Sequence, residues 1–443
     1  MYYILNTSDT MNNKTFNKNK KTLKENTFKE DTKFASKYEI DVINKLTGLN
    51  FDYDDLILLE KLTGMDYRKK IYLEKDIQIG ILEFDLIDLD WKFIPAPYYY
   101  QMVDKEKIYL EPTKRRLKGK YLKEEYINNY DDYLRILNSK DYFVGLEMGE
   151  FVGVGIKRND RIKVKDLRRK REDIPIKKIA EYLKENKDRM DSFLKLSKDI
   201  LKKYMDKYRD KGYVINASFS GGKDSEVSTL LAREIMPDID VIFIDTGLEY
   251  QDTLKYIKKF AKSYDLNLHI VNGDYFWEEL YEKGIPTKDN RWCNSVCKLI
   301  PLKNFFMEEY PNKRILTIDG SRKFESFARS NLNYIRKSGF IDFQSNLFPI
   351  LDWNALDVWS YIYSNNLPYN PLYDKGFERI GCYLCPSALN SEFFRVKELY
   401  PELWNKWVSY LKEYYSMDEI LRGFWRWDEI PPKMRELKKL LGI

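Results

Sequence analysis

A glycine-rich segment is the part of the sequence best suited to bind an anion, and it reads Ser218-Phe219-Ser220-Gly221-Gly222-Lys223-Asp224-Ser225. An apolar run (213–217) precedes it and an amphipathic stretch (226–235) follows, which predicts a strand, a glycine turn and a helix N-terminus. Unpaired N–H groups and the positive helix end attract phosphate at such a turn. The spacing is not that of a Walker A loop. Taken alone, the segment predicts either an ordinary turn or a nucleotide phosphate site. In the second case Lys223 supplies the cation and the binding residues are Ser220, Gly221, Gly222, Asp224 and Ser225.

The four cysteines of the chain fall into two close pairs, Cys293 with Cys297 and Cys382 with Cys385. In a reducing compartment, paired spacing of this kind favours metal ligation over structural disulfides. Four thiolates are able to hold a 4Fe-4S cluster or a tetrahedral Zn²⁺ ion, and a redox-active pair is the third alternative. Arg291 and Lys298 flank the first pair, where they are suited to raise a cluster potential or to bind sulfate.

Two further polar motifs follow predicted strands. Asp245-Thr246-Gly247-Leu248-Glu249 offers an acid that accepts hydrogen bonds from ribose or adenine. The segment 319–329 offers two arginines, whose guanidinium groups suit tetrahedral oxyanions better than lysine does. An exposed helix with ordinary ion pairs is the alternative for this segment. Its candidate site residues are Arg322, Glu325, Ser326 and Arg329.

Strands that alternate with helices must position these motifs. The candidate strands are Tyr213–Ser218, Val241–Asp245, Leu268–Val271, Ile315–Ile318 and Leu347–Ile350. Such alternation predicts an α/β fold, a parallel sheet with helices on both faces. Ligands of these sheets bind at the carboxyl ends of the strands, which is where the motifs fall.

The 443-residue chain is long enough for several domains. We predict a disordered tail (1–36), a β-rich N-terminal domain (37–170), a helical connector (171–210) beginning near Asp173 and Pro175, a catalytic domain (211–386) and a helical C-terminal segment (387–443). The net charge of +6 permits an anionic partner without requiring one. With no signal peptide and no long apolar run, a cytoplasmic protein without a membrane partner is expected. The single histidine argues against histidine-based acid/base chemistry.

Taken in order, the motifs resemble the phosphoadenylyl-sulfate (PAPS) reductase family, within the adenine nucleotide α-hydrolase-like (PP-loop) superfamily. The resemblance covers residues 211–390 and includes the Ser220–Ser225 loop, Asp245-Thr246-Gly247 and the arginine segment. It also includes the blocks 349–353, 357–359 and 367–373, and Arg379-Ile380-Gly381-Cys382 with Cys385-Pro386. The Cys297-Lys298-Leu299-Ile300-Pro301-Leu302 segment is similar to one in cluster-containing reductases.

The resemblance implies reduction of PAPS, or of adenylyl sulfate (APS), to sulfite in assimilatory sulfate reduction. It implies an adenine nucleotide substrate, thioredoxin or another electron donor, and a homo-oligomer. Lys223, Arg322, Arg329 and Cys385 would be the catalytic residues, and the four cysteines the metal ligands.

Two departures from the family pattern leave other functions open. The first cysteines are spaced Cys-x-x-x-Cys rather than adjacent, and no cysteine follows Cys385 as the family's tail nucleophile. One of the four cysteines would then attack, or the sulfur acceptor is external, or the reaction is not a reduction. The alternative enzyme is an ATP-dependent iron–sulfur sulfurtransferase that thiolates tRNA or another nucleic acid. The N-terminal domain, which suggests an RNA-binding module of the PUA type, would bind that nucleic acid. A nucleotide-sensing protein without catalysis is the third alternative.

Overall fold

The structure is a computed structural model that describes residues 31–62, 65–113 and 115–443. Within those residues the chain divides into two compact units. The N-terminal unit comprises residues 31–85 and Asp90–Tyr182, and the C-terminal unit comprises Leu86–Leu89 and Leu183–Ile443.

Residues 1–30 of the tail predicted for residues 1–36 lie outside the described residues. Its last part is not a tail, because Thr32–Phe34 form a strand that pairs antiparallel with Leu58–Leu62. Ser36 then caps the following helix through a capping box with Glu39. The ordered chain therefore begins before the domain boundary predicted from the sequence.

The N-terminal unit is built on two sheets, with strand orders β1-β2-β3-β4-β5 and β6-β7-β8-β9 in the described residues. The strands are β1 (Thr32–Phe34), β2 (Leu58–Leu62), β3 (Met65–Glu74), β4 (Ile77–Asp85), β5 (Asp90–Pro95), β6 (Lys107–Tyr109), β7 (Phe143–Met148), β8 (Phe151–Arg158) and β9 (Arg161–Arg169). The helices are α1 (Lys37–Thr47), α2 (Tyr99–Met102) and α3 (Tyr130–Asn138). Ile40 of α1, Ile71 of β3 and Val154 of β8 belong to one apolar core, so helix α1 and both sheets pack together.

The helical connector consists of α4 (Ile179–Glu185) and α5 (Lys187–Arg209) and begins later than the sequence predicts. Asp173 and Pro175 do not start a helix. The carbonyl of Lys177 instead accepts the N–H of Leu56 at 2.8 Å, in an extended pairing that competes with helix formation. Local helix signals at 173–175 are therefore overridden by a pairing more than a hundred residues away in sequence.

The C-terminal unit contains the predicted α/β sheet. Its strands are β10 (Val214–Ser218), β11 (Asp240–Asp245), β12 (Asn267–Asn272), β13 (Ile315–Ile318), β14 (Ile335–Lys337) and β15 (Gln344–Leu347). In the described residues the order is β12-β11-β10-β13-β15-β14, parallel except for the antiparallel edge strand β14. Strand β15 ends three residues before the predicted end. It cannot continue through Pro349, which has no N–H to donate.

Helices flank this sheet and extend beyond it. They are α6 (Lys223–Ile235), α7 (Gln251–Ser263), α8 (Phe276–Lys283), α9 (Trp292–Asn294), α10 (Ile300–Glu309), α11 (Ala355–Ser364), α12 (Asn390–Leu399), α13 (Pro401–Leu411), α14 (Met417–Arg422) and α15 (Pro432–Leu441). Trp404, Trp407 and Trp425 of the last segment are buried in an apolar cluster that also contains Cys297. The C-terminal helices therefore share a core with a cysteine segment. None of the described helices has the length and apolar character that a membrane crossing requires.

Candidate active site

The glycine loop lies where the sequence predicts, between β10 and α6. Gly221 has φ +73°, a left-handed conformation that favours glycine, and a Cβ there would lie 2.9 Å from the Ile257 side chain. Inside the loop, the Ser225 hydroxyl accepts the N–H of Ser220 at 3.1 Å and donates to the Gly222 carbonyl at 2.8 Å. These bonds hold the turn without using the N–H groups of the glycines.

Helix α6 begins at Lys223, and its N-cap residue, Gly222, has no side chain that could cap it. Among the described residues, no group accepts a hydrogen bond from the N–H of Gly221 or Gly222. Free N–H groups at a helix N-terminus, next to the positive end of its dipole, form an anion site. Anion binding by this loop stays a prediction.

Three charges meet at the head of α6. Asp224 accepts a hydrogen bond from Lys223 Nζ at 2.7 Å through one oxygen and from Arg322 Nε at 2.6 Å through the other. Burial works to raise the pKa of Asp224, but the charges of Arg322 and Lys223 outweigh it and hold that pKa at about 2. Asp224 is therefore ionised, and it orients both cations beside the loop.

The two arginines of the segment 319–329 both bind carboxylates of the protein. Arg322 is 2% exposed and uses its guanidinium on Asp224 and on the Trp353 carbonyl. Arg329 forms an ion pair with Glu325, whose carboxylate also accepts the N–H of Arg322 at 2.9 Å. The structure thus brings Arg322, Glu325 and Arg329 together with Ser326 between them. Direct contact of either arginine with an anion stays a prediction.

The end of β11 forms the neighbouring wall of the site. Asp245 accepts the N–H of Gly247 at 3.0 Å, and a Cβ at Gly247 would lie 2.1 Å from an oxygen of Asp274. The N–H and hydroxyl of Thr246 both bind Glu249, at 2.9 and 2.8 Å. Burial raises the pKa of Glu249. Glu249 ends the segment 245–249 that the sequence analysis singled out. Asp274 is a residue of this wall that the motif analysis did not find, because it follows a different strand.

The first cysteine pair lies on a short helical run. Cys293 is in α9 and Cys297 in the following π-helical turn, Ser295–Leu299, so a spacing of four places both on one side. A Cβ at Gly273 would lie 2.0 Å from the Cys297 carbonyl oxygen, so this run packs directly on the residue after β12. Arg291 immediately precedes the run and acts electrostatically on Cys293.

The second cysteine pair approaches the first from a different part of the chain. Cys382 and Cys385 are in one turn, closed by the Cys385 N–H and the Cys382 carbonyl at 3.1 Å. All four cysteines are free thiols, and Cys293 and Cys385 interact electrostatically across the pairs. Burial raises the pKa of Cys297 to about 11 and of Cys382 to about 12. These two thiols are therefore neutral at pH 7.

A lysine faces the cysteines. The Lys298 ammonium interacts with Cys382 foremost, and also with Glu249, Cys385 and Cys293, and these groups raise its pKa despite the opposing effect of burial. A cation at this position suits a group of thiolates with net negative charge. The structure thus gathers the predicted metal ligands around one of the predicted binding residues.

Two buried side chains of the C-terminal segment hold the second cysteine turn. Glu392 accepts the N–H groups of Glu378 at 2.8 Å and Arg379 at 3.1 Å, on the N-terminal side of the turn. Arg426, 3% exposed, donates to the Pro386 carbonyl at 2.7 Å and to the Ala388 carbonyl on the other side. Helices outside the predicted catalytic domain therefore position Cys382 and Cys385.

These features define an α/β protein of the PP-loop superfamily, with a glycine loop and a set of thiols at the carboxyl ends of its parallel strands. A sequence profile described as the phosphoadenosine phosphosulfate reductase domain matches residues 214–388. An adenosine 5′-phosphosulfate reductase of Geobacillus thermodenitrificans is 31% identical over 189 residues, 40% of this chain and 75% of that enzyme. The chain belongs to the PAPS reductase family.

Two other similarities extend the comparison. A Methanocaldococcus jannaschii protein described as uncharacterized is 60% identical over 412 residues, 93% of this chain and 98% of that protein. A crystal structure of the Candida auris PAPS reductase in complex with phosphate covers 46% of this chain and 97% of its own, with a TM-score of 0.35 and 20% identity. The high coverage by the first relative means that both units occur together in another chain.

Proposed function

We propose that this protein reduces a nucleotide phosphosulfate, PAPS or APS, and releases sulfite. The observation that carries the proposal is the contact of the anion loop and the cysteine turn. A Cβ at Gly222 would lie 3.8 Å from Ile380 Cβ, and two residues later Cys382 Sγ lies 3.6 Å from Thr246 Oγ1. One short segment thus contacts the ends of both β10 and β11. A phosphate at the loop would have the thiols beside it.

The loop would bind the phosphate that becomes the leaving group. The N–H groups of Gly221 and Gly222 and the ammonium of Lys223 meet the negative charge that grows on the phosphate oxygen. Asp224 keeps Lys223 oriented and does not itself contact substrate. Breaking the bond between the sulfonate sulfur and this oxygen is the step that the loop would stabilise.

The reduction needs two thiols. A thiolate attacks the sulfonate sulfur, an S–S bond forms, and the nucleotide phosphate leaves with the electron pair of the broken S–O bond. A second thiol attacks the sulfur of the first, which gives a disulfide and sulfite. The sulfur gains two electrons and the dithiol loses two. In this proposal an external dithiol such as thioredoxin supplies both thiols, because the four cysteines serve as ligands.

The donor set fits a 4Fe-4S cluster held by Cys293, Cys297, Cys382 and Cys385. Among the described residues, no three of these sulfur atoms lie within 4.8 Å of one another. Tetrahedral zinc with Zn–S bonds of about 2.3 Å would require separations of about 3.8 Å between them. The wider spacing supports a cluster over zinc, whereas the Lys298 cation suits four thiolates around either group. When bound, a cluster would supply a redox-active, electron-rich group beside the substrate.

Anaerobic incubation with PAPS or APS and a reduced dithiol protein tests the proposal, with sulfite as the measured product. Sulfite from either nucleotide is expected, and its absence with both would contradict the proposal. Cys385→Ser tests the competing assignment of Cys385 as the attacking thiol. A ligand role predicts loss of metal together with activity, whereas an attacking role predicts full metal content and no sulfite.

Exposed cations of the N-terminal unit favour a second candidate, ATP-dependent thiolation of a nucleic acid. Strand β9 exposes Arg161, Lys163, Arg168 and Arg169. The three arginines form surface ion pairs with Asp160, Asp166 and Glu150, which a phosphate backbone would have to replace. This candidate predicts that pyrophosphate is released from ATP only when tRNA or another nucleic acid is added. Unchanged release without nucleic acid, or none at all, would argue against it.

A further inference from the structure

A tyrosine hydroxyl occupies the head of helix α6. The phenol oxygen of Tyr373 accepts the N–H of Lys223, the first helical residue, at 3.0 Å. A Cβ at Gly222 would lie 3.4 Å from the same oxygen. The first N–H of the helix therefore points at a phenol rather than at open space.

This hydroxyl is held rigidly. Tyr373 is 5% exposed, and its ring packs edge-on against Trp359 with centroids 5.0 Å apart. Its N–H binds the Asn370 carbonyl at 3.2 Å, and the Asn370 side chain donates to the Gly221 carbonyl at 3.3 Å. The turn that carries the tyrosine is thus bonded to the glycine loop itself, so the phenol keeps its place relative to the loop.

The phenol has a hydrogen left to donate. A hydroxyl accepts and donates at once, and the Lys223 N–H uses only an acceptor site. No hydrogen-bond acceptor of the Tyr373 O–H is found among the described residues. Burial, and then the charge of Asp224, raise the pKa of Tyr373 well above its usual value, so the hydrogen stays on the oxygen. Accepting from Lys223 also polarises the O–H and makes it a better donor.

We propose that Tyr373 donates its hydroxyl hydrogen to the oxyanion bound at the glycine loop and so replaces the Lys223 N–H as a direct ligand. The inference rests on the proposed function for the presence of a nucleotide phosphate. It adds a phosphate-binding residue that lies 150 positions from the loop in sequence.

Tyr373→Phe in the full chain tests this inference, with Tyr369→Phe as the matched control. Tyr369 is in the same turn and packs on the same Trp359 ring at 5.1 Å, but its hydroxyl binds Asp374. Calorimetry with AMP and with adenosine separates phosphate binding from binding of the nucleoside. A hydrogen bond to a charged group predicts at least tenfold weaker AMP binding for Tyr373→Phe. Adenosine binding should stay within twofold, and Tyr369→Phe should match wild type for both ligands.

Equal or tighter AMP binding by Tyr373→Phe would overturn the inference, because the phenol would then only cap the helix. Failure of wild type to bind AMP, APS or PAPS would overturn the proposed function and the inference with it. A crystal structure of wild type with AMP gives a second measurement that needs no variant. A phosphate oxygen about 2.5–3.0 Å from the phenol oxygen is expected. A phosphate on the Lys223 N–H with the phenol displaced would contradict the inference.

Discussion

Gly320→Ala should disturb the anion site from the neighbouring strand. Gly320 follows β13, and a Cβ there would lie 2.5 Å from the carbonyl carbon and oxygen of Asp224 and 2.7 Å from the Ser225 nitrogen. Ordinary contact begins at 3.4 Å, so the strand or the helix must move by about 0.9 Å. These neighbours are backbone atoms of the first turn of α6 and cannot rotate away. Overpacking of this kind costs about 1–3 kcal/mol of unfolding free energy.

Displacement of the helix head also separates the ligand groups. A misplacement of about 1 Å in a binding constellation lowers activity by as much as about a hundredfold. We therefore expect Gly320→Ala to bind AMP at least tenfold more weakly in calorimetry and to unfold at lower urea concentration. Gly339→Ala is the matched control, because nothing lies within 4 Å of a Cβ at that position. Wild-type stability and affinity in Gly320→Ala would refute the claim that this contact positions the loop.

Three further changes test the charges and the cysteine turn. Asp224→Asn should lower the unfolding free energy by about 2 kcal/mol at pH 7, since the pKa of Asp224 falls from 3.8 to about 2 on folding. A lowered pKa stabilises the folded protein only above the pKa of the unfolded state, so the difference in unfolding free energy between wild type and Asp224→Asn should persist down to about pH 4. A difference that shrinks between pH 7 and 5, measured by urea titration, would contradict this prediction. Burial raises the pKa of Glu226 to about 8, so wild-type stability should fall as pH rises from 4.5 to 8, by on the order of 4 kcal/mol. Glu226→Gln should lack that fall. Unfolding free energies that decrease equally with pH in both proteins would be evidence against this prediction. Arg426→Gln removes donors to the Pro386 and Ala388 carbonyls and should at least halve the metal bound per chain, measured by elemental analysis. The exposed Arg435→Gln should retain the wild-type content, and equal content in both variants would disprove the positioning role.

The parallel sheet was predictable because its signals are local. Strands β10 to β13 appear within one or two residues of the apolar runs that predicted them, and the glycine loop occupies the expected turn. Each of these features depends on neighbours in sequence: alternation of apolar runs, the glycines and an amphipathic helix. Each motif directly follows a strand. Because the strands are parallel, their carboxyl ends lie on the same side of the sheet, and the motifs come together there.

The contacts that define the site were not predictable from local patterns. Arg322 meets Asp224 across 98 residues and Tyr373 meets Lys223 across 150, and no periodicity encodes either pairing. The sequence predicted that Arg322 binds an oxyanion, and it did not reveal that the guanidinium of Arg322 holds Asp224. The same limitation explains the helix predicted near Asp173, where pairing of Lys177 with Leu56 prevails. Tertiary contacts decided these cases.

Paired quantification of products from one anaerobic reaction tests the central claim most directly. Metal-loaded protein is mixed with PAPS or APS and a reduced dithiol protein, and sulfite and the released nucleotide are measured together. Phosphosulfate reduction predicts one sulfite per nucleotide released and one dithiol oxidised. Release of nucleotide with sulfate instead of sulfite, or no turnover of either nucleotide, would contradict the account.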